Sequence, residues 1–261
     1  MTAPTIPTVA LRGVDIPVLG LGTWQSEGDD AERAVHHALG AGYRHIDTAT
    51  GYGNEAQVGR GLASSGVARG EVFLTTKMPP DRAGRERETL ETSLRDLGVE
   101  SVDLWLVHWP PNKQATPDTW QRFIELRDEG LARAIGVSNY SIAQIDELIE
   151  VTGEAPALNQ IPFSPSDWDA DLVAAHAQRG VVLEGYSPFK RTNLEDPTLT
   201  EIASAHGVNA AQIVLRWHVE HGVVVIPKST TPARIDANLE AVNFTLSSDE
   251  VARIDRLSTV A

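Results

Sequence analysis

The sequence predicts an α/β fold of the (β/α)8, or TIM-barrel, type, and three observations lead there. Short apolar runs alternate with helical periods along the 261 residues. No linker, low-complexity stretch or charge block divides the chain, so residues 1–261 read as one barrel domain. About eight strand–helix units of roughly 25–40 residues each suit a closed barrel better than an open sheet.

The elements follow in order. The segment TVALRGVDIPVLG, with a turn at Arg12 and Gly13, predicts a small hairpin closing the N-terminal end of the barrel. Strands are predicted at GLGTW (20–24), YRHIDTA (43–49), VFLTTK (72–77), SVDLWLVH (101–108), LARAIGVSN (131–139), ALNQI (157–161), VVLEGYS (181–187) and VVVIPKS (223–229). Several are Val-, Leu- or Ile-rich and bounded by Gly, Pro, Asp or Asn, the pattern of strands buried on both faces. Between them, Ala31, Val35 and Leu39 recur at i, i+4, i+8, and Leu90, Leu94 and Leu97 at i, i+4, i+7. Each set turns one apolar stripe toward the sheet. Val251, Ile254 and Leu257 predict a last helix.

Composition removes several functions. With 22 Lys+Arg against 36 Asp+Glu, the net charge is −14, so nucleic acid and anionic membranes are poor partners. No apolar run approaches the roughly 20 residues that cross a bilayer. The opening MTAPTIPTVA lacks a basic stretch followed by an apolar one, which predicts no secretory leader and a cytoplasmic protein. The absence of cysteine excludes disulfides, thiolate metal sites and a cysteine nucleophile. His36–His37 and HVEH (218–221) offer pairs of histidines rather than three or four ligands, so they read as solvated helix surface and no metal is expected. Neither a GxSxG nor a P-loop is present.

Polar or aromatic residues close nearly every predicted strand: Asp47, Lys77, His108, Ser138 with Asn139, Gln160, Tyr186 with Ser187, and Lys228 with Ser229. Parallel strands share one direction, so these ends converge on the face that carries the active site in such barrels. Asp47, Tyr52, Lys77 and His108 form the chemical candidate. A phenol is a poor acid at neutral pH, and a nearby ammonium lowers its pKa. Lys77 can be that ammonium, Asp47 can orient it, and His108 can hydrogen-bond a substrate carbonyl. A structural Asp–Lys pair with Tyr52 as loop packing accounts for the same residues.

Here the chain resembles the aldo-keto reductase family. The matching pieces are RHIDTATGYGNEAQVGRGL (44–62), LTTK (74–77), LVHWP (106–110), IGVSNY (135–140), LNQI (158–161), EGYSP (184–188) and VVIPKSTTPARIDANL (224–239), in the family's order. The resemblance implies a (β/α)8 barrel that reduces aldehydes and ketones with NADPH, bacterial relatives acting on α-dicarbonyls and keto-sugars. It makes Tyr52 the general acid, Asp47 and Lys77 its tuning pair, and His108 the residue that orients the carbonyl. Ser138, Asn139 and Gln160 would hold the nicotinamide carboxamide, and Tyr186 would stack on the ring. Lys228, Ser229 and Arg234 would surround the adenosine 2′-phosphate, and Asn238 would meet the adenine. Thr23 and Ser187 complete the cofactor set. Trp24 and Trp109 would line the substrate pocket. Many relatives are monomers, so a monomer acting on a small carbonyl substrate is expected.

Some residues depart from the family pattern. Pro162 and Ser164 stand where Glu and His are usual, and Ala237 where a Glu is common. KRTNLED (190–196) leaves no room for a long loop over the pyrophosphate, the loop after Trp109 is short, and the chain ends at Ala261 a few residues past the last helix. These features predict an open site, broad specificity and easy cofactor release. GYGNEA (51–56) also matches a Rossmann opening with Glu71 as ribose partner, but it lies in the second unit and leaves Tyr52 unused. A cofactor-binding sensor with little turnover is the alternative to an enzyme.

Overall fold

A computed structural model describes residues 6–260. Residues 1–5, half of the MTAPTIPTVA segment, and the terminal Ala261 lie outside it. The chain opens with an antiparallel hairpin, β1 (Thr8–Leu11) and β2 (Val14–Pro17). Its turn falls at the predicted dipeptide: Arg12 and Gly13 are both left-handed, with φ of 39° and 96°. Leu11 and Ile16 are fully buried against Leu104, Ala134, Leu158 and Val224, residues in the lower halves of barrel strands. The hairpin therefore plugs the N-terminal end of the barrel, as its apolar inner side requires.

Eight parallel strands follow in sequence order. They are β3 (Leu21–Gly22), β4 (His45–Asp47), β5 (Phe73–Met78), β6 (Val102–Val107), β7 (Ala132–Ser138), β8 (Leu158–Pro162), β9 (Val182–Tyr186) and β10 (Val224–Val225). Parallel bridges Leu19–Val225 and Gly22–Lys228 join the last strand to the first and close a (β/α)8 barrel. Every residue of β5 and β6 is buried, which is why those runs read as continuously apolar. The first and last strands are shorter than the sequence predicts, because only two residues of each enter the regular ladder before the chain bends to the rim. A Cβ on Gly136 in β7 would sit 2.6 Å from the Leu158 carbonyl oxygen, so close strand packing requires glycine there.

Helices α1 (Asp29–Ala41), α2 (Glu55–Ser64), α3 (Glu86–Leu97), α4 (Pro117–Asp128), α5 (Ile142–Thr152) and α6 (Ala170–Gln178) each follow one strand. The predicted stripes on α1 and α3 are buried against the sheet. Between β9 and β10 run two helices, α7 (Pro197–His206) and α8 (Ala210–Glu220); α9 (Pro232–Leu239) and α10 (Ser248–Asp255) end the fold. Side-chain caps fix several helix starts, among them Ser141 with Gln144 and Asn209 with Gln212. Leu257 falls beyond α10 rather than within it.

One surface assignment is overturned. His218 in HVEH is fully buried, with its ring nitrogens 2.7 Å from the Val214 carbonyl oxygen and 3.1 Å from that of Phe163. Burial lowers its pKa to about 4, so it is a neutral core residue rather than solvated surface. His221 is half-buried, stacked on Trp168 and 2.8 Å from Asp255. α8 is packed among α7, β10, α9 and α10, so even polar positions such as Gln212, Arg216 and His218 lie inside.

Candidate active site

The strands deliver their side chains by the period of two. His45 and Asp47 on β4, Thr75 and Lys77 on β5, and Glu184 and Tyr186 on β9 each point into the barrel at successive levels. Tyr52 stands on a 3-10 turn (Thr50–Tyr52) after β4. That turn is held from below, where Thr50 Oγ1 and Ser93 Oγ are 3.0 Å apart. Asn54 locks the loop base by donating to the Thr23 and Ser26 carbonyls at 2.9 and 3.0 Å.

The four chemical candidates converge. Lys77 is fully buried, and its Nζ donates to Asp47 Oδ1 at 2.5 Å, the Thr48 carbonyl at 2.8 Å and Tyr52 Oη at 3.3 Å. An ammonium has three hydrogens, and all three are used. Burial works to discharge Lys77, but Asp47 and Tyr52 outweigh it and hold the amine above its ordinary pKa. The His108 ring meets Tyr52 edge-on, with centroids 5.6 Å apart. Burial and the Lys77 charge lower His108 to about 3, so its imidazole is neutral at physiological pH.

Tyr52 corrects one expectation. Lys77 does pull the phenol down, but burial pushes it up by more, and the net position is above the ordinary value. The phenol is thus protonated across the neutral range, rather than made unusually acidic in the resting protein. Lys77 offsets part of the burial cost of a phenolate, which otherwise nothing would.

Asp47, Tyr52 and His108 open onto a cavity of about 720 Å³ at the C-terminal ends of the strands, with Lys77 buried beneath them. Trp24 and Trp109 stand at its rim, each 48% exposed, so neither is core packing. Asn139, Gln160, Tyr186, Ser187 and Lys228 also line it. Their polar atoms are largely committed to one another. Ser138 Oγ donates to the Gln160 carbonyl at 2.9 Å, Asn139 Nδ2 reaches the His108 carbonyl and Ser138 Oγ, and Tyr186 Oη donates to Asn139 Oδ1 at 2.8 Å. Asn139 and Ser187 are left-handed, with φ of 64° and 55°, a strained backbone concentrated at this rim. Thr23 and Ser138 are buried behind the lining; Thr23 Oγ1 donates to the Asp47 carbonyl at 3.0 Å.

A second cluster adjoins Lys228. Ser229 Oγ accepts from the Thr231 amide at 3.1 Å, just before α9 begins. Lys228 and Arg234 are both exposed, and among the described residues no carboxylate pairs with either. In a chain of net charge −14, two cations with no carboxylate partner among the described residues stand near the start of α9, where the helix end also favours negative charge. Ser229, Arg234 and Asn238 do not line the main cavity. Asn238 is buried on α9.

Sequence reasoning missed Glu184 and His45, both wholly buried in the barrel interior. A lone carboxylate within the apolar run VVLEGY, two residues before Tyr186, was the available signal. Burial lowers His45 to about 3. Between about pH 5 and 8, the ring resonances of His45, His108 and His218 are therefore expected to stay fixed in nitrogen-resolved NMR. Titration of His108 within that window would show a solvated, chargeable ring.

Comparison with known proteins gives concordant results. The family model described as "Aldo/keto reductase family" matches residues 18–259. An aldo-keto reductase of Mycobacterium sp. (strain KMS) is 45% identical over 256 residues, covering 96% of this chain and 93% of that protein. Methylglyoxal reductase DkgA of Salmonella typhimurium (strain LT2) is 41% identical over 261 residues, covering 98% and 94%. The crystal structure of a Bombyx mori aldo-keto reductase in complex with NADP superposes with a TM-score of 0.91 at 36% identity, covering 98% of this chain and 94% of that one.

Proposed function

Because the chain belongs to the aldo/keto reductase family, we propose that it is an NADPH-dependent carbonyl reductase that converts aldehydes and ketones to alcohols. α-Dicarbonyls and keto-sugars are the substrate classes, the first supported by the relative named for methylglyoxal reduction. The observation that carries this reading is Lys77 joined at once to Asp47 and Tyr52 beneath a cavity that His108 lines.

The residues present fit the cofactor. Tyr186 offers a ring in the cavity wall, and Gln160 an amide oxygen without a partner. Asn139 and Gln160 would hold the carboxamide, with Ser138, expected to share that role, and Thr23 buried behind them and Ser187 beside. The unpaired Lys228 and Arg234, with Ser229, would hold the 2′-phosphate, and Asn238 the adenine. Bound NADPH supplies the hydride to the carbonyl carbon.

The chain's own residues do the rest. His108, neutral, donates a hydrogen bond to the carbonyl oxygen and orients it. Tyr52 gives its proton to that oxygen as negative charge develops there, an alkoxide being far more basic than a phenolate. Lys77 stabilises the phenolate left behind, and Asp47 keeps Lys77 in place. Trp24 and Trp109 exclude water around varied apolar substituents.

Depletion of NADPH absorbance across a panel of aldehydes, ketones and diketones tests this reading. Binding of NADPH with no turnover on any of them would favour the sensor. Replacing both Lys228 and Arg234 with alanine should weaken NADPH binding by about tenfold while leaving NADH binding nearly unchanged, because only NADPH carries the third phosphate. Equal losses for both cofactors would remove the phosphate assignment.

A further inference from the structure

Glu184 is a buried titratable group that this mechanism leaves unused. Its Oε2 accepts a hydrogen bond from Gln160 Nε2 at 2.7 Å. The same nitrogen donates to Asp47 Oδ2 at 2.9 Å. A primary amide nitrogen has two hydrogens, so both are spent on carboxyl oxygens inside the barrel. Gln160 Oε1 has no partner among the described residues, and Gln160 lines the cavity. The amide is therefore held at two points with its acceptor turned toward the ligand space.

One anchor would not do this. The terminal torsion of a glutamine is broad and roughly two-fold, so an amide tied only to Asp47 can turn its oxygen away. Nor is Glu184 accounted for by packing. Its Oε1 has no hydrogen bond and lies 3.6 Å from His45 Nε2, an expensive arrangement for a purely structural residue. Burial, with Asp47 adding to it, raises the Glu184 carboxyl to about 8. A neutral carboxyl still presents a carbonyl oxygen to Gln160.

We propose that Glu184 is a positioning residue that locks the Gln160 amide with its oxygen toward the cavity, so that the site selects a cofactor bearing a carboxamide NH2 group. The proposal rests on the NADPH reading above. Loss of Glu184 should weaken recognition of the nicotinamide end and leave the adenosine phosphate end untouched.

The test is calorimetric and needs no turnover. The wild-type protein, Glu184→Leu and Glu184→Gln are titrated with NADP+, with its 3-acetylpyridine analogue, whose methyl ketone lacks the NH2 group, and with 2′,5′-ADP. The wild type should prefer NADP+ over the analogue by about two- to tenfold, the worth of one hydrogen bond. Glu184→Leu should lose that preference, and Glu184→Gln, which keeps an acceptor, should retain it. All three proteins should bind 2′,5′-ADP equally, which also reports their folding. Full preference in Glu184→Leu overturns the proposal. Should the leucine variant fail to bind 2′,5′-ADP, the wild type decides. Its two Gln160 side-chain amide hydrogens should exchange slowly without cofactor, and exchange as fast as in an exposed glutamine overturns the lock. A wild-type protein that binds neither NADP+ nor 2′,5′-ADP overturns the cofactor reading itself, and this inference with it.

Discussion

Replacing Tyr52 with phenylalanine should leave a folded protein that binds NADPH and reduces carbonyls about 10²- to 10⁴-fold more slowly. The variant loses one oxygen. Lys77 keeps its bonds to Asp47 and the Thr48 carbonyl, so the ion pair below survives. His108 is neutral and Lys77 is shut off from the cavity by burial, so neither replaces the phenolic proton. The loss should fall on kcat and on kcat/KM alike, with little change in substrate affinity, the pattern of an interaction made only in the transition state. Single-turnover NADPH oxidation measures it. Unchanged turnover would remove Tyr52 from the chemistry.

Lys77→Met is expected to be worse, because it damages both stability and rate. It leaves Asp47 buried and facing no cation, and breaking a buried pair from one side costs about 3–5 kcal/mol. Removing both charges, as Asp47→Leu with Lys77→Met, should restore much of that stability without restoring activity. Denaturant unfolding of the three proteins measures the difference. The sign of the pH effect follows from Asp47. Burial raises its carboxyl, and Lys77 is the largest influence lowering it. Without Lys77 the folded state takes up a proton that the unfolded chain does not hold at the same pH. Stability of Lys77→Met should therefore rise as pH falls through the neutral and mildly acidic range. A single variant as stable as the double one would show that Asp47 finds another partner.

Much of the barrel was legible because its information is local. Arg12 and Gly13 mark a turn, Leu90, Leu94 and Leu97 mark a face, and apolar runs ending in Asp47, Lys77 and His108 mark strands with a shared direction. What the sequence hid depends on distant partners. His218 looks like a surface residue until its ring is seen buried between the carbonyls of Val214 and Phe163, one of which accepts its single N–H. Glu184 stands out in VVLEGY as a lone carboxylate, but nothing nearby in the chain says what it serves. Its partner Gln160 lies 24 residues away and Asp47 another 113 beyond that. The position of the Tyr52 phenol was also out of reach. The sign of Lys77's influence follows from charge alone, but its size against burial depends on how deeply the fold sets the ring.

The hairpin beneath the barrel has a further consequence for traffic. With Leu11 and Ile16 packed under a filled barrel core, ligands reach the site from the cavity at the C-terminal ends of the strands. Water displaced by each arrival leaves past the same two indole rings. Under the proposed function, dinucleotide and carbonyl share that one mouth, and product-inhibition patterns report the order in which they pass it.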